Sequence, residues 1–196
     1  MKVTKGKIPK GNPGYIKKRK QNMILKTVLQ FGIVIALLIL GIVQTDTRLN
    51  LLTLVAVLGC LPASKSLVEV IMLFPHRSIE MIKADEIKEK TSNLTVAYDL
   101  IFTSEKYIMP VDCIAISDNT ICGFSSNKKT DTAFAAKHVK QILYANQFTN
   151  VSVKIFDNYT AFITRAEGMN NIATVEKKDT KNKEEKIRQI ILNISL

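Results

Sequence analysis

Two long apolar runs, separated by a short polar break, constrain this chain more than any other feature. The first run covers residues 24–43, and the second begins at Leu49. A helix of about 20 residues rises about 1.5 Å per residue and so reaches about 30 Å, the thickness of a bilayer's hydrocarbon core. The sequence therefore predicts a transmembrane helical hairpin over residues 24–74. Its parts are spans at about 24–43 and 49–67, a turn at Gln44–Arg48, and an interfacial extension to residue 74.

The segment before the first apolar run is strongly basic. Residues 1–23 contain eight Lys and Arg and no Asp or Glu. Basic residues close to a span stay on the cytoplasmic side, and a second span returns the chain to that side. We therefore predict a multi-pass protein of a bacterial plasma membrane, with both termini cytoplasmic and residues 75–196 forming a cytoplasmic domain. The side chains expected to contact anionic lipid headgroups are Lys17, Lys18, Arg19 and Lys20.

Two other interpretations of the basic leader are a cleaved signal peptide and a nucleic-acid-binding arm. The apolar run exceeds the 7–15 residues usual in signal peptides, and no small-x-small cleavage site follows it. The formal net charge is +11, but residues 75–196 carry 17 Lys and Arg against 15 Asp and Glu. Because the excess charge lies beside the predicted membrane segment, we expect a lipid surface as the partner and no nucleic acid.

Residues 75–196 show alternating helical and strand patterns. The predicted order is helix, hairpin, helix, hairpin, helix, which gives a four-stranded sheet and places the whole chain in the α+β class. Asp118-Asn119 and Asp157-Asn158 each suit a two-residue hairpin turn. The predicted elements are a helix at 85–104, a hairpin at 111–126, a helix at 130–147, a hairpin at 151–165 and a helix at 182–194.

The two predicted hairpins each have one apolar face and one mixed face. In the first hairpin Ile114, Ile116 and Ile121 share a face, and Cys113 and Cys122 lie on its reverse. We expect helices to cover the apolar face of the sheet. The mixed face would then be partly open, and a protein partner or a second copy of the chain could dock there.

Chemistry-bearing motifs are sparse. The three cysteines do not have the spacing of a metal site, no Gly-rich phosphate loop occurs, and no serine or cysteine lies in a nucleophile-type turn. We predict no catalytic residue, no metal and no cofactor. One stretch, RAEGMNN at 165–171, has a composition that could bind a polar ligand; alternatively Gly168 turns the chain and Asn170 caps a helix. The candidate ligand or partner contacts are Lys154, Arg165, Glu167 and Asn170.

Three further segments carry a resemblance. They are KGNPGYIKKRK in the leader, FGIVIALLILGI in the first span and the closing RAEGMNNIATVEK…IILNISL, and the resemblance that rests on them extends over most of the chain. With these segments the chain resembles uncharacterised small two-span membrane proteins of Gram-positive anaerobic bacteria. Some of those proteins are labelled O-linked N-acetylglucosamine transferase-like. True transferases of that kind have long helical repeats and a large two-lobed catalytic region, and this chain has neither the length nor the repeat period.

The sequence favours a membrane-anchored protein whose cytoplasmic domain acts by protein interaction or scaffolding at the inner leaflet. The alternative is a membrane-tethered ligand-binding or transferase-type domain that uses the mixed sheet face. A pocket that brings Lys154, Arg165 and Glu167 together would favour the ligand-binding alternative. A flat, open sheet would favour docking of a protein partner or formation of a homo-oligomer.

Overall fold

The chain divides into two compact units. The computed structural model describes residues 8–45, 51–104, 107–176 and 180–196. One unit comprises residues 1–15 and 78–196, and the other comprises residues 16–77. The predicted turn at Gln44–Arg48 lies largely outside the described residues.

The unit of residues 16–77 is built from two long apolar helices, α1 (Tyr15–Thr45) and α2 (Leu51–Leu73). The mean hydropathy of their most apolar windows is 2.4 and 1.8, and only a small share of each window is buried. Leu25 and Leu61, for example, are 69% and 70% exposed. By length and composition both helices could cross a bilayer, as the sequence predicts.

Small residues bring α1 and α2 together. Ala56 and Ala63 on α2 are fully buried, and a Cβ added at Gly59 would lie 3.2 Å from Cγ2 of Val34. Such small side chains allow helix backbones to approach closely.

The unit of residues 1–15 and 78–196, called the α+β unit below, contains a four-stranded mixed sheet and four helices among its described residues. The sheet order is β1-β2-β3-β4, with β4 parallel to β3 and the other neighbouring pairs antiparallel. The predicted α+β class and the number of strands are confirmed. In chain order the elements are α3 (Met81–Lys90), β1 (Thr95–Thr103), β2 (Ile108–Ser117), β3 (Thr120–Phe124), α4 (Thr132–Ala145), β4 (Ser152–Phe156), α5 (Tyr159–Glu176) and α6 (Lys181–Ile194).

The predicted helix at 85–104 is wrong. Helix α3 ends at Lys90, and Thr91 is its C-cap. Residues 95–103 form β1 instead, and six consecutive residues in it are buried. A strand that is buried on both faces has a continuous apolar run, which can be mistaken for a helical stripe when its spacing is read alone.

The predicted hairpin at 151–165 is also wrong in its second half. Asp157-Asn158 is not a hairpin turn, because Asn158 is followed at once by α5. The Asn158 side chain accepts a hydrogen bond from the Ala161 N–H at 3.2 Å, and its carbonyl accepts from the Phe162 N–H at 3.1 Å. Asparagine in this position caps a helix start, and the burial of one helix face outweighs the strand preference of the β-branched residues that follow.

Both faces of the sheet are covered, so the predicted open mixed face is wrong as well. On one face Ile114, Ile116 and Ile121 pack with residues of α4 and α6, as the hairpin pattern predicts. On the other face Cys113 and Cys122 pack against α3 and α5. The four strands therefore lie between two helical layers.

The outer edge of β1 is closed by segments from the two ends of the chain. The Tyr98 N–H donates to the Gly11 carbonyl at 2.9 Å, and the Leu196 N–H donates to the Ile101 carbonyl at 2.9 Å. The Ile101 N–H donates to the Ser195 hydroxyl at 3.0 Å. Residues 8–14 and the C-terminal residues thus satisfy backbone groups that an edge strand would otherwise leave exposed.

Glu184, in the first turn of α6, connects three parts of this unit, although its side chain is only 3% exposed. Its carboxylate accepts hydrogen bonds from the Thr95 hydroxyl at 2.7 Å, the Asp118 N–H at 3.0 Å and the Thr180 hydroxyl at 2.8 Å. Burial acts to raise the pKa of Glu184, but these donors and the Lys181 ammonium outweigh burial, and the pKa is lowered. The carboxylate therefore stays charged and holds β1, the β2–β3 turn and α6 together.

Substitution of Gly11 by alanine should destabilise the α+β unit by about 2 kcal/mol. Gly11 has φ +88, and an added Cβ would lie 2.8 Å from Cδ2 of Leu192. Gly14 is the matched control, since it has φ +83 but its nearest side-chain atom is 3.7 Å away. Gly14→Ala should lower the free energy of unfolding by only about 1 kcal/mol, the cost of placing a residue with a Cβ at positive φ. The measurement is urea unfolding of the purified protein in detergent, and equal losses for both variants would contradict this packing.

Glu184→Ala should lower the free energy of unfolding by about 2 to 3 kcal/mol, because the buried donors lose their acceptor. The control Glu185→Ala changes an exposed carboxylate and should cost about 0.5 kcal/mol or less. A carboxyl whose pKa is lowered by folding stabilises the protein above its unfolded-state pKa. That contribution disappears as the pH falls through the folded-state pKa. Urea titrations between neutral and acid pH should therefore converge for wild type and Glu184→Gln in acid, and a constant difference would contradict the assignment.

Candidate functional site

A groove of about 780 Å³ runs between the edge strand β4 and helix α5. It contains two of the four predicted ligand or partner contacts, Lys154 and Arg165. The lining residues are Lys154, Phe156, Asn158, Thr160, Ala161, Thr164, Arg165, Gly168 and Ile172.

Local sequence spacing explains why these side chains meet. On β4, Lys154 and Phe156 are two residues apart and so point to the same side of the sheet. On α5 the lining residues recur at helical spacing from Ala161 to Ile172, which places them on one helix face. The buried residues of α5, such as Phe162 and Ala166, lie on a different face and pack against the sheet.

The groove is positively charged. The Lys154 ammonium lies 4.9 Å from the centroid of the Phe156 ring, a cation–π contact. Lys154 and Arg165 are both exposed, and neither forms an ion pair with a carboxylate in the described part of the chain. None of the nine lining residues is acidic. The groove can therefore attract an anionic or acidic group by charge, with apolar contact available from Phe156 and Ile172.

The other two predicted contacts, Glu167 and Asn170, do not line the groove. The Glu167 carboxylate lies 3.5 Å from the Lys90 ammonium of α3. The Asn170 side-chain oxygen accepts a hydrogen bond from the Asn93 N–H at 2.9 Å. Residues 165–171 all lie within α5, so the alternative in which Gly168 turns the chain and Asn170 caps a helix is wrong. Both side chains fasten α5 to its neighbours.

Cys113 and Cys122 are buried free thiols on the face covered by α3 and α5. Burial raises the pKa of Cys122 to about 12, although the Arg165 charge acts in the opposite direction. Burial also raises the pKa of Cys113 well above its ordinary value. At neutral pH both thiols are protonated, so they serve as small packing residues and not as nucleophiles.

The four predicted membrane-surface residues all lie near the start of α1. Lys20 is engaged within its own unit: its ammonium donates to the Phe74 carbonyl at 2.7 Å and the His76 carbonyl at 3.0 Å. It also lies 5.2 Å from the centroid of the Phe74 ring. Lys20 thus joins the start of α1 to the end of α2, while Lys17, Lys18 and Arg19 precede it on the same helix.

Sequence reasoning missed the α5 half of the groove. Thr160, Thr164, Gly168 and Ile172 line it, whereas the sequence pattern predicts a strand over the first part of this segment and a turn over the rest. The signal that could have found this half was Asn158 before the apolar spacing Phe162, Ala166 and Met169, which is a helix start followed by a helical stripe. Within the described residues no group of three or more His, Cys, Asp or Glu could hold a metal ion.

Gly168→Ala should raise the stability of the α+β unit by about 0.5 to 1 kcal/mol. The position is inside a helix, and an added Cβ would meet no atom within 4 Å. The matched control is Gly123→Ala on β3, where the added Cβ would lie 3.2 Å from side-chain atoms of Ile114 and Ile155. That control should be destabilising. Thermal unfolding followed by circular dichroism checks both signs, and a loss of stability in Gly168→Ala would contradict an open groove.

The groove, lined by Lys154 and Arg165 beside an edge strand, is the candidate site that the described residues support. Comparison with known proteins does not add to it. No protein-family model matches the chain, and no curated protein or solved structure matches it.

Proposed function

We propose that this chain is a membrane-anchored binding protein. Helices α1 and α2 span a bacterial plasma membrane, and the α+β unit lies at the inner leaflet, where it binds a protein partner. The β4–α5 groove is the surface with the charge and the open contacts that such binding needs.

The hydrogen bond between Gly11 and Tyr98 carries the membrane part of this proposal. It requires residues 8–14 and the α+β unit to lie on the same side of any membrane that the chain crosses. The two apolar helices come between these segments in sequence, so a crossing chain must go out and return. A two-span hairpin meets this requirement. The basic leader then favours the cytoplasm as the shared side.

The shape of the groove supports binding of a macromolecule more than small-molecule chemistry. Small-molecule sites usually enclose most of their ligand and converge several polar groups on it. Here Lys154 and Arg165 both line the groove, whereas Glu167 is engaged with Lys90. The ligand-binding or transferase-type alternative thus keeps two of its three expected side chains. An open groove beside an edge strand suits an extended segment of another protein better.

Reporters fused before Met1 and after Leu196 should both be cytoplasmic, because the two ends of the chain form one folded unit. The full chain should stay in the membrane pellet after carbonate extraction. Purification in mild detergent should recover a partner in defined stoichiometry. The topology measurement is reporter activity on each side of the membrane, and the binding measurement is the composition of the purified complex.

A variant in which Lys17, Lys18 and Arg19 are replaced by glutamine tests whether these charges set the orientation of the chain in the membrane. Lys20 is kept, since it donates to the Phe74 and His76 carbonyls just past the C-terminal end of α2. The fraction of chains with both reporters outside should rise when these charges are removed. Reporters on opposite sides in the wild type, or a soluble chain after fractionation, would refute the anchored arrangement. A solitary monomer that binds a nucleotide or sugar would instead favour the alternative function.

A further inference from the structure

The outer edge of β4 is the exposed edge of the sheet. On its inner side the Ser152 N–H donates to the Asn119 carbonyl at 2.8 Å, and the Phe156 carbonyl accepts from the Ser125 N–H at 2.9 Å. In a parallel pair a residue directs its N–H and its C=O to the same neighbour, and alternate residues face opposite sides. Val153 and Ile155 therefore direct their backbone groups away from β3, and no described residue hydrogen-bonds to them there.

The two edges of the sheet differ in how their backbone groups are hydrogen-bonded. At β1, the Gly11 carbonyl and residues Ser195 and Leu196 take up the edge groups. At β4, no corresponding segment occurs in the described ranges. An open edge offers hydrogen bonds to an added strand, and proteins use this for recognition of extended peptides.

The β4–α5 groove lies beside this open edge and matches it in length. The five residues of β4 extend about 17 Å at 3.3 Å each. The lining face of α5 from Thr160 to Ile172 rises about 18 Å at 1.5 Å per residue. A strand added next to β4 would thus place alternate side chains against this face of α5, where Gly168 leaves room.

Charge decides which strand fits. Lys154 and Arg165 both line the groove, and no acidic side chain does. An added strand with Asp or Glu on that face would pair with them, and apolar residues on the same face, two positions from an acid, would meet Ile172 and Phe156. A second copy of β4 fits poorly, because antiparallel pairing centred on Lys154 would set like charges opposite each other.

We propose that β4 and the adjoining groove bind an acidic, extended segment of a partner protein by strand addition. This inference rests on the proposed binding function and names the surface and the chemistry of the partner. Backbone groups of Val153 and Ile155 supply the hydrogen bonds. Lys154 and Arg165 select the acidic sequence.

The test is a display selection of random nine-residue peptides on the full-length protein in nanodiscs of neutral lipid. The enriched peptides should carry acidic and apolar residues two positions apart, so that both lie on the face that meets the groove. One such peptide, fluorescently labelled, is then measured by anisotropy. Its affinity should fall about tenfold or more in the double variant Lys154→Glu, Arg165→Glu, and should weaken in high salt. The matched control Lys140→Glu, Lys186→Glu makes the same charge change at exposed positions on α4 and α6 and should leave the affinity unchanged.

Two further arms separate strand addition from simple charge attraction. Val153→Pro removes an outward N–H without removing a bond to β3 and should weaken binding at constant charge. If that variant does not fold, the charges of peptide and protein are exchanged in its place. A peptide with Lys in place of each acid should then bind the double variant Lys154→Glu, Arg165→Glu and should not bind wild type. Folding of every variant is checked by thermal unfolding.

Several results would overturn the inference. These are a selection without enrichment, enriched peptides that lack acids, and peptides that bind wild type and the charge-reversed variant equally. Self-association that Lys154→Glu strengthens would point to a second copy as the occupant. A partner that is retained by the charge-reversed variant would leave the membrane-anchored binding protein standing and remove only this surface. Recovery of the chain in the soluble fraction would refute the anchored arrangement without affecting the peptide result.

Discussion

Pairing of the two ends of the chain with β1 is the interaction on which the arrangement of the α+β unit depends. Gly11 and the residues at Ser195–Leu196 reach β1 from opposite ends of the sequence and close the same edge. The Gly11 position admits no larger side chain without strain, since its φ is positive and Leu192 lies against it. With that edge closed, residues 8–15 become part of the folded unit and are no longer a free leader.

Coverage of the sheet on both faces leaves little of it accessible. Helices α4 and α6 cover one face, and α3 and α5 cover the other. Within the described residues, the backbone groups of Val153 and Ile155 that face away from β3 have no hydrogen-bond partner. The position of α5 is set partly by Glu167 and Asn170, which bond to Lys90 and Asn93. These two residues contribute to the groove indirectly. They fix the position of α5, and the opposite side of α5 forms one wall of the groove.

The sequence predicted some elements correctly because their signals were local. In these segments the spacing of the apolar residues fits only one kind of secondary structure. They are the two apolar runs, the β2–β3 hairpin with its two faces, helix α4 and helix α6. Residues 95–103 were misassigned because a strand between two helical layers lacks alternation. Residues 159–165 were misassigned because β-branched residues after Asp157-Asn158 suggested a returning strand, whereas Asn158 caps a helix. Of the candidate site, Lys154 and Arg165 were found, and the remaining groove was missed with α5. The pairing of Gly11 with β1 has no local signal at all.

The separation of the segments that meet at β1 has a consequence for the order of events during synthesis. Ser195 follows Ile101 by 94 residues, and Gly11 precedes Tyr98 by a similar interval that includes both apolar helices. Contacts between such distant residues form late, since the intervening chain must first be made and ordered. Until Ser195 and Leu196 have been made, β1 lacks the partners that occupy its outer edge in the folded unit. The native fold of the α+β unit is therefore reached only after translation has passed α6.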